Sequence, residues 1–252
     1  LSGSGNVAST LLDSTLTLGD NNATASHSGS INNTTGILSV TKIGTGTQTL
    51  SGSSNFVGDL TVNGGTVAFP SSPTTAGPLG ASTVVNLNAG GISYTGSGAN
   101  DLNRPIAIAA GSGTVDVSGS TGVLTVPSLT STGGNLIKTG PGTAVLTGST
   151  SLNAGAASVV VQQGTLRAGF GIDGVASVTV GGAGHLDQNN ATIEALVLDD
   201  VAGALTLSNG SQLSFELNGA TSDRIDTGAT GTAVTSGVVT LNLSGTPAVG
   251  TY

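Results

Sequence analysis

Short apolar–polar alternations run from one end of this chain to the other, and glycine or asparagine interrupts nearly all of them. Thr15-Leu16-Thr17-Leu18, Leu60-Thr61-Val62, Val84-Val85-Asn86-Leu87, Ile106-Ala107-Ile108, Val115-Asp116-Val117 and Val159-Val160-Val161 are examples. Period-two patterning rich in Val, Ile, Leu and Thr specifies strands, because successive side chains of an extended backbone point to opposite faces. No stretch sustains a helical stripe at i, i+3, i+4 and i+7 over about 11 residues; Ala191 to Leu198 comes nearest. The chain therefore reads as all-β.

The strands are joined by small turns in a recurring order of strand, glycine-rich corner, strand. Val62-Asn63-Gly64-Gly65-Thr66-Val67, Leu87-Asn88-Ala89-Gly90-Gly91-Ile92, Val161-Gln162-Gln163-Gly164-Thr165-Leu166, Val180 to Leu186 and Leu207 to Leu213 all follow it. Gly and Asn suit such corners because they accept positive φ at low steric cost. Strand-and-turn units recurring at a period of roughly 20–50 residues are the mark of solenoids. A longer repeat lies over this one. Lys42-Ile43-Gly44-Thr45-Gly46-Thr47-Gln48-Thr49-Leu50-Ser51-Gly52-Ser53 returns as Lys138-Thr139-Gly140-Pro141-Gly142-Thr143-Ala144-Val145-Leu146-Thr147-Gly148-Ser149, with seven identities at an offset of 96. Gly65-Thr66-Val67 is echoed by Gly164-Thr165-Leu166 at an offset of 99, so the second copy holds three extra residues in a loop, as solenoids tolerate.

Lys-x-Gly-x-Gly-Thr-x-x-Leu-x-Gly, the turn Asn55-Phe56-Val57-Gly58, the strand Leu60-Thr61-Val62 and Asn63-Gly64-Gly65-Thr66-Val67 together resemble the autotransporter-associated β-strand repeat of bacterial surface proteins. The second copy departs from it where Ser151-Leu152-Asn153-Ala154-Gly155 replaces the aromatic turn. The resemblance implies a right-handed parallel β-helix in a secreted or surface-displayed passenger region, and it brings no family-wide catalytic residues. Residues 1–252 are read as a single β-helical segment with internal repeats at about 36–69 and 133–167. At roughly 22 residues per coil the length corresponds to about 11 coils. Leu1 opens on a Ser/Gly run without a leader and Tyr252 closes what reads as an unfinished strand, so a longer parent protein is expected.

Composition narrows the role. Charged residues make up 7% and aromatics 2%, there are 42 glycines, and Cys, Met and Trp are absent. An ordinary domain holds about 25% charged residues, so a conventional cytosolic enzyme is disfavoured. Long disorder is disfavoured too, because 37% of residues are apolar and mean hydropathy is positive at +0.27. The net charge is −8 and only five cations (Lys42, Arg104, Lys138, Arg167, Arg224) are spread along the chain, which excludes a phosphate-tracking surface and hence nucleic acid. No apolar run is long enough to insert into a membrane.

Motifs for chemistry are sparse. No phosphate-binding Gly loop precedes a helix, and Gly44 with Gly46 reads as a corner. The calcium nonapeptide is approached at Gly181-Gly182-Ala183-Gly184-His185-Leu186-Asp187, with the Asp one position late and in a single copy. His185 and Asp187 share a strand face and read as solvated; His27 reads as a surface turn. Three groupings of acids merit a carboxylate-pair test: Asp101, Arg104 and Asp116; Glu194, Asp199 and Asp200; Asp223, Arg224 and Asp226. Turn capping and edge protection are the expected tasks of these acids. Among the aromatics Phe56, Phe69, Tyr94, Phe170, Phe215 and Tyr252, Tyr94 is the one expected to be exposed. The Thr-x-Thr pairs at Thr15, Thr45 and Thr230 are too irregular for a flat ice-binding face.

The expected function is a structural stalk or display scaffold of an adhesin-like bacterial protein, extracellular or on the cell surface. No catalytic, cofactor-binding or metal-binding residues and no cofactor are expected. Expected partners are host or matrix surface molecules or glycans, with end-to-end self-association, but not nucleic acid. Two alternatives are an extracellular filament or surface-coat subunit, and a polysaccharide-binding or polysaccharide-cleaving β-helix.

Overall fold

The computed structural model describes residues 1–10, 12–72, 76–148, 150–152, 157–168, 172–173, 175–193, 195–198, 203–219 and 221–247. Among these the regular elements are all strands, 28 in number, and the ladders between them are parallel except for the hairpin pairing of Leu217 with Ser222. A parallel ladder needs a long crossover to bring the chain back in the same direction. Here the crossover is a complete coil. Along one face, Leu18 pairs with Lys42, Lys42 with Val62, Val62 with Leu87, Leu87 with Ile108 and Ile108 with Ser131. Each step is 20 to 25 residues, so the chain is a β-solenoid.

Each coil in the middle of the molecule has three faces. One is an eight-stranded sheet from Asp13–Leu18 to Ile172–Asp173. The other two are arms of a 16-stranded sheet, exemplified by Gly113–Val117 and Val123–Val126. The arms merge where Ser158–Ala168 and Ser177–Asp187 run through their corner as single strands, with the register slipping between Val161 and Gln163. The expected corner at Gly181 to Gly184 is therefore a bend inside one strand.

The eight-stranded sheet stacks eight coils, against the roughly 11 expected. Dividing the length by 22 supposes that every residue serves a coil of constant size. Toward the C-terminus the coil lengthens, Ala195 pairing with Arg224 29 residues on, and that pair forms a separate two-stranded sheet.

Alternation places one side chain in two inside, and stacking aligns the inner ones in columns. The column Ala25, Gln48, Val67, Ile92, Val115, Lys138, Val161, Val180, Leu207 is continuous through eight ladders. On the third face Leu124, Ala144, Leu166, Leu186 and Leu213 do the same. Apart from Ala25, the aliphatics of both columns belong to one contiguous core. Each fully buried Val or Leu contributes about 1.5–3 kcal/mol, and that burial, with the ladders, holds the coils without disulfides.

Candidate functional site: buried cations at the coil corners

A tight corner takes the backbone out of its ladder, so its carbonyls need other partners if they face inward. Lys42 ends the strand Ile37–Lys42 on the inner side and is 0% exposed. Its Nζ donates to Ile43 O at 2.6 Å, Gly44 O at 2.9 Å and, from the next coil, Gly64 O at 3.2 Å. Lys138, in Leu136–Thr139, is also 0% exposed and donates to Thr139 O at 2.5 Å, Gly140 O at 2.8 Å and Gln163 O of the next coil at 3.1 Å. Each ammonium thus takes the two carbonyls that follow it and one from the corner stacked on it. All three of its donors are used.

Glycine makes this geometry. Gly44 and Gly140 have φ of 68° and 71°, the left-handed conformation that turns two successive carbonyls toward the same ammonium. At Gly65, which opens the next strand above Lys42, a Cβ would lie 2.8 Å from the lysine Nζ and 2.3 Å from Gly46 O. The lysine, the left-handed glycine and the bare glycine stacked above form one unit that spans two coils.

That unit coincides with the long sequence repeat. Residues 40–69 and 136–168 match the passenger-associated-transport-repeat family. The chain carries two passenger-associated-transport repeats. No curated protein and no solved structure matches it. The lysine corners of the two repeats lie on different faces of the solenoid. Lys42 belongs to the eight-stranded sheet and Lys138 to the 16-stranded one. Four coils carry the column from Lys42 to Ser131, and Lys138 lies seven residues, one face, further on. The repeat therefore encodes a corner with its stacked neighbour and has no fixed face. Two such repeats on a β-solenoid are consistent with an autotransporter passenger repeat region.

Arg104 is a third case, between the repeats. It is 3% exposed; its Nε donates to Leu102 O at 3.0 Å, and Nη1 reaches Leu79 O at 2.8 Å, Gly80 O at 3.3 Å and Ser82 Oγ at 2.8 Å on the preceding coil. Gly80, with φ of 60°, is again left-handed. Every cation ahead of Arg167 is therefore inside and ties one coil to the next. Burial lowers the pKa of Lys42 and of Arg104. It pushes Lys138 down to about 8, with the carboxylate of Asp116 acting in the opposite direction. Where the column of Lys42 reaches Ser131, a hydroxyl takes over on a smaller scale, donating to Gly134 O at 2.6 Å and accepting from Gly133 N at 3.1 Å.

His185 is half-buried, its Nε2 2.7 Å from Ser214 Oγ and its Nδ1 3.3 Å from Thr165 Oγ1. Burial lowers its pKa, Asp187 raises it and Arg167 lowers it. Asp187 is not solvated as expected: it is 4% exposed, accepting from Arg167 Nε at 2.8 Å and Asn189 N at 3.1 Å. The His185–Asp187 face is thus a ladder of polar side chains across three coils, within a continuous strand rather than a calcium loop. Among the described residues no group of three His, Asp or Glu is arranged to hold a metal ion.

Asp101 caps a turn by accepting from Asn103 N at 2.8 Å, and lies on another face than Asp116, which binds Ser93, Ser118 and Thr139. With Arg104 inside, the first acidic grouping does not converge. Asp223 accepts from Glu216 N at 2.7 Å and Asp226 from Gly228 N at 3.0 Å, so the third is spent on turns, with Arg224 exposed. Glu194, Asp199 and Asp200 lie outside the described residues, as do Phe170 and Tyr252.

His27 and Tyr94 also depart from expectation. His27 is not on a surface turn: it lies in Ala25–His27, paired with Leu50, and is 2% exposed with neither ring nitrogen hydrogen-bonded. Tyr94 is 4% exposed, packs its ring 5.9 Å from that of Phe69 and donates its hydroxyl to Gly98 O at 2.9 Å. In both, the side chain takes the inner parity of its strand. The same parity was the available signal for the buried lysines, since Leu38, Val40 and Lys42 alternate.

Proposed function

We propose that this chain is a rigid display scaffold within a secreted or surface-exposed, adhesin-like bacterial protein, and that it performs no catalysis of its own. The observation that carries the reading is that both passenger-associated-transport repeats are built into the solenoid as locks between coils. The arrangement suits a mechanical task. Ladders join each coil to the next, the interior is mostly aliphatic with its buried cations tied to carbonyls, and a backbone so paired resists local opening to a protease. The outer face is supplied by Ser, Thr, Asn and Gly with few charges, a surface that holds the rod in water without a strong field of its own. Of the three acidic groupings weighed for glycoside cleavage, the two within the described residues serve turns and ladders, which supports the absence of a reaction. Partners of such a scaffold are host or matrix surface molecules or glycans met by regions it holds away from the cell.

Surface display tests this directly. The chain, joined to an export leader and to an outer-membrane barrel, should become accessible to antibody and to added protease on intact cells, and should resist cleavage between its ends. Retention inside the cell, or rapid cleavage within the coils, contradicts the scaffold reading. Release of reducing ends from a panel of acidic and neutral polysaccharides contradicts the non-catalytic part.

A further inference from the structure

We infer that the corner of each passenger-associated-transport repeat is a cation-binding site, a cage of three backbone carbonyls, and that the repeat's lysine is its tethered occupant. The ligand class is a primary alkylammonium ion. The inference goes beyond the scaffold reading and does not depend on it, because it concerns what the corner binds.

Three observations carry it. First, the cage recurs with the same composition in two places on different faces: the two carbonyls after the lysine and one from the stacked corner, at 2.6, 2.9 and 3.2 Å for Lys42 and 2.5, 2.8 and 3.1 Å for Lys138. A lysine packed only for its methylenes has no reason to reproduce three acceptors. Second, the acceptors are set by the backbone. Gly44 and Gly140 hold their carbonyls inward through positive φ, so the cage is shaped by residues other than the lysine. Third, Arg104 fills a related cage with a guanidinium, taking Leu79 O and Gly80 O from one coil and Leu102 O from another. The chain thus puts a cation at inward carbonyls three times, although it has only five Lys and Arg residues.

The reason is electrostatic. Carbonyls of stacked corners point their negative ends into one small dry space, and without a donor they lose hydrogen bonds that water supplies to the unfolded chain. An ammonium with three N–H groups satisfies three at once and joins two coils in doing so. In Lys138→Ala the retained Cβ leaves a vacancy with the length of propylammonium, open on the carbonyl side.

The experiment uses the full chain, refolded from urea and followed by hydrogen exchange at amides beside the second cage, Gly142 (bonded to Val117 O) and Thr165 (bonded to Gly142 O), with Val85 (bonded to Pro105 O) as a distant reference. Lys138→Ala should exchange at Gly142 and Thr165 on the order of tenfold faster than the unaltered chain, with Val85 little changed. Refolding in propylammonium should restore much of that protection, and tetramethylammonium, which has no N–H donor, should not. Equal effects of the two ions, or no effect of either, overturn the cage. Should Lys138→Ala fail to fold, Lys138→Met decides: it fills the space without donating, so faster exchange at Gly142 and Thr165 alone supports the cage. Exchange at unaltered rates overturns it.

Discussion

The buried lysines are held by opposing effects of known sign. Desolvation disfavours the ammonium, and the three carbonyls favour it. For Lys138 burial prevails, and its folded value of about 8 lies below the 10.5 of a free lysine. Between those values the unfolded chain binds the proton and the folded chain does not, so stability rises with pH across that window; below about 8 both states are protonated and this group adds no slope. Urea midpoints measured from pH 7 to 10 should therefore climb in the unaltered chain and climb less in Lys138→Met. At pH 7 the same variant should lose about 1–3 kcal/mol, because three buried carbonyls lose their donor. His27 presents the reverse situation. Its ring nitrogens are buried without partners in a stack with Leu50, so His27→Leu should stabilise the protein by about 1–2 kcal/mol, read as a higher thermal midpoint. Both lysines were legible as repeated residues and, by parity, as inner ones. A lone charged residue in a strand nevertheless reads as surface, because sequence does not display the carbonyls of a coil still to come. Arg104 carries the same signal, since Leu102, Arg104, Ile106 and Ile108 share the inner parity, but Asn103 and Pro105 beside it read as a turn and mask it.

Strands and corners differ in what determines them. The strands follow from alternation, and Leu60–Val62, Ile106–Ile108 and Gly113–Val117 fall where period two places them. Corners depend on the coil beneath. Gly140 needs its missing Cβ twice over, once for its φ of 71° and once because a Cβ would come within 2.4 Å of Val117 O on the preceding coil. Gly140→Ala should destabilise by about 1–2 kcal/mol for the left-handed backbone alone, and by more through that contact. Gly98, with nothing within 4 Å of a Cβ and no positive φ, should accept alanine with little change. Comparing the two urea midpoints checks whether stacking, rather than glycine content, governs the corners. The tool for this distinction was absent from the sequence: Gly-x-Gly looks alike whether or not a carbonyl lies beneath it. Gly181 to Gly184 shows the consequence, reading as a corner while Ser177–Asp187 runs through as one bent strand.

At the scale of the molecule, the coil is the unit of deletion, and the face is not. Each coil touches only its neighbours, so stability is close to a sum of coil terms and coil-to-coil terms. Ile108 pairs with Ser131, and Thr132 N already donates to Ile108 O. Removing residues 109–131 joins Ile108 to Thr132 in the same position of the next coil. All three faces are shortened by one strand, the inner columns close up, and Lys138 keeps Thr139, Gly140 and Gln163 as acceptors. The shortened protein should fold with the same far-ultraviolet signature and unfold cooperatively, with scattering showing a rod shorter by about 4.8 Å. Removing only residues 109–115, about one face, leaves a coil with two sides that cannot close around an inner column, and this variant should aggregate or remain unfolded. The lysine corner sits on different faces in the two repeats because it is complete with its stacked neighbour; a coil has no such freedom, since its inner side chains must meet from three directions. If the shorter deletion folded and the longer did not, the coil would not be the cooperative unit, and the rod would have to be held by contacts beyond nearest neighbours.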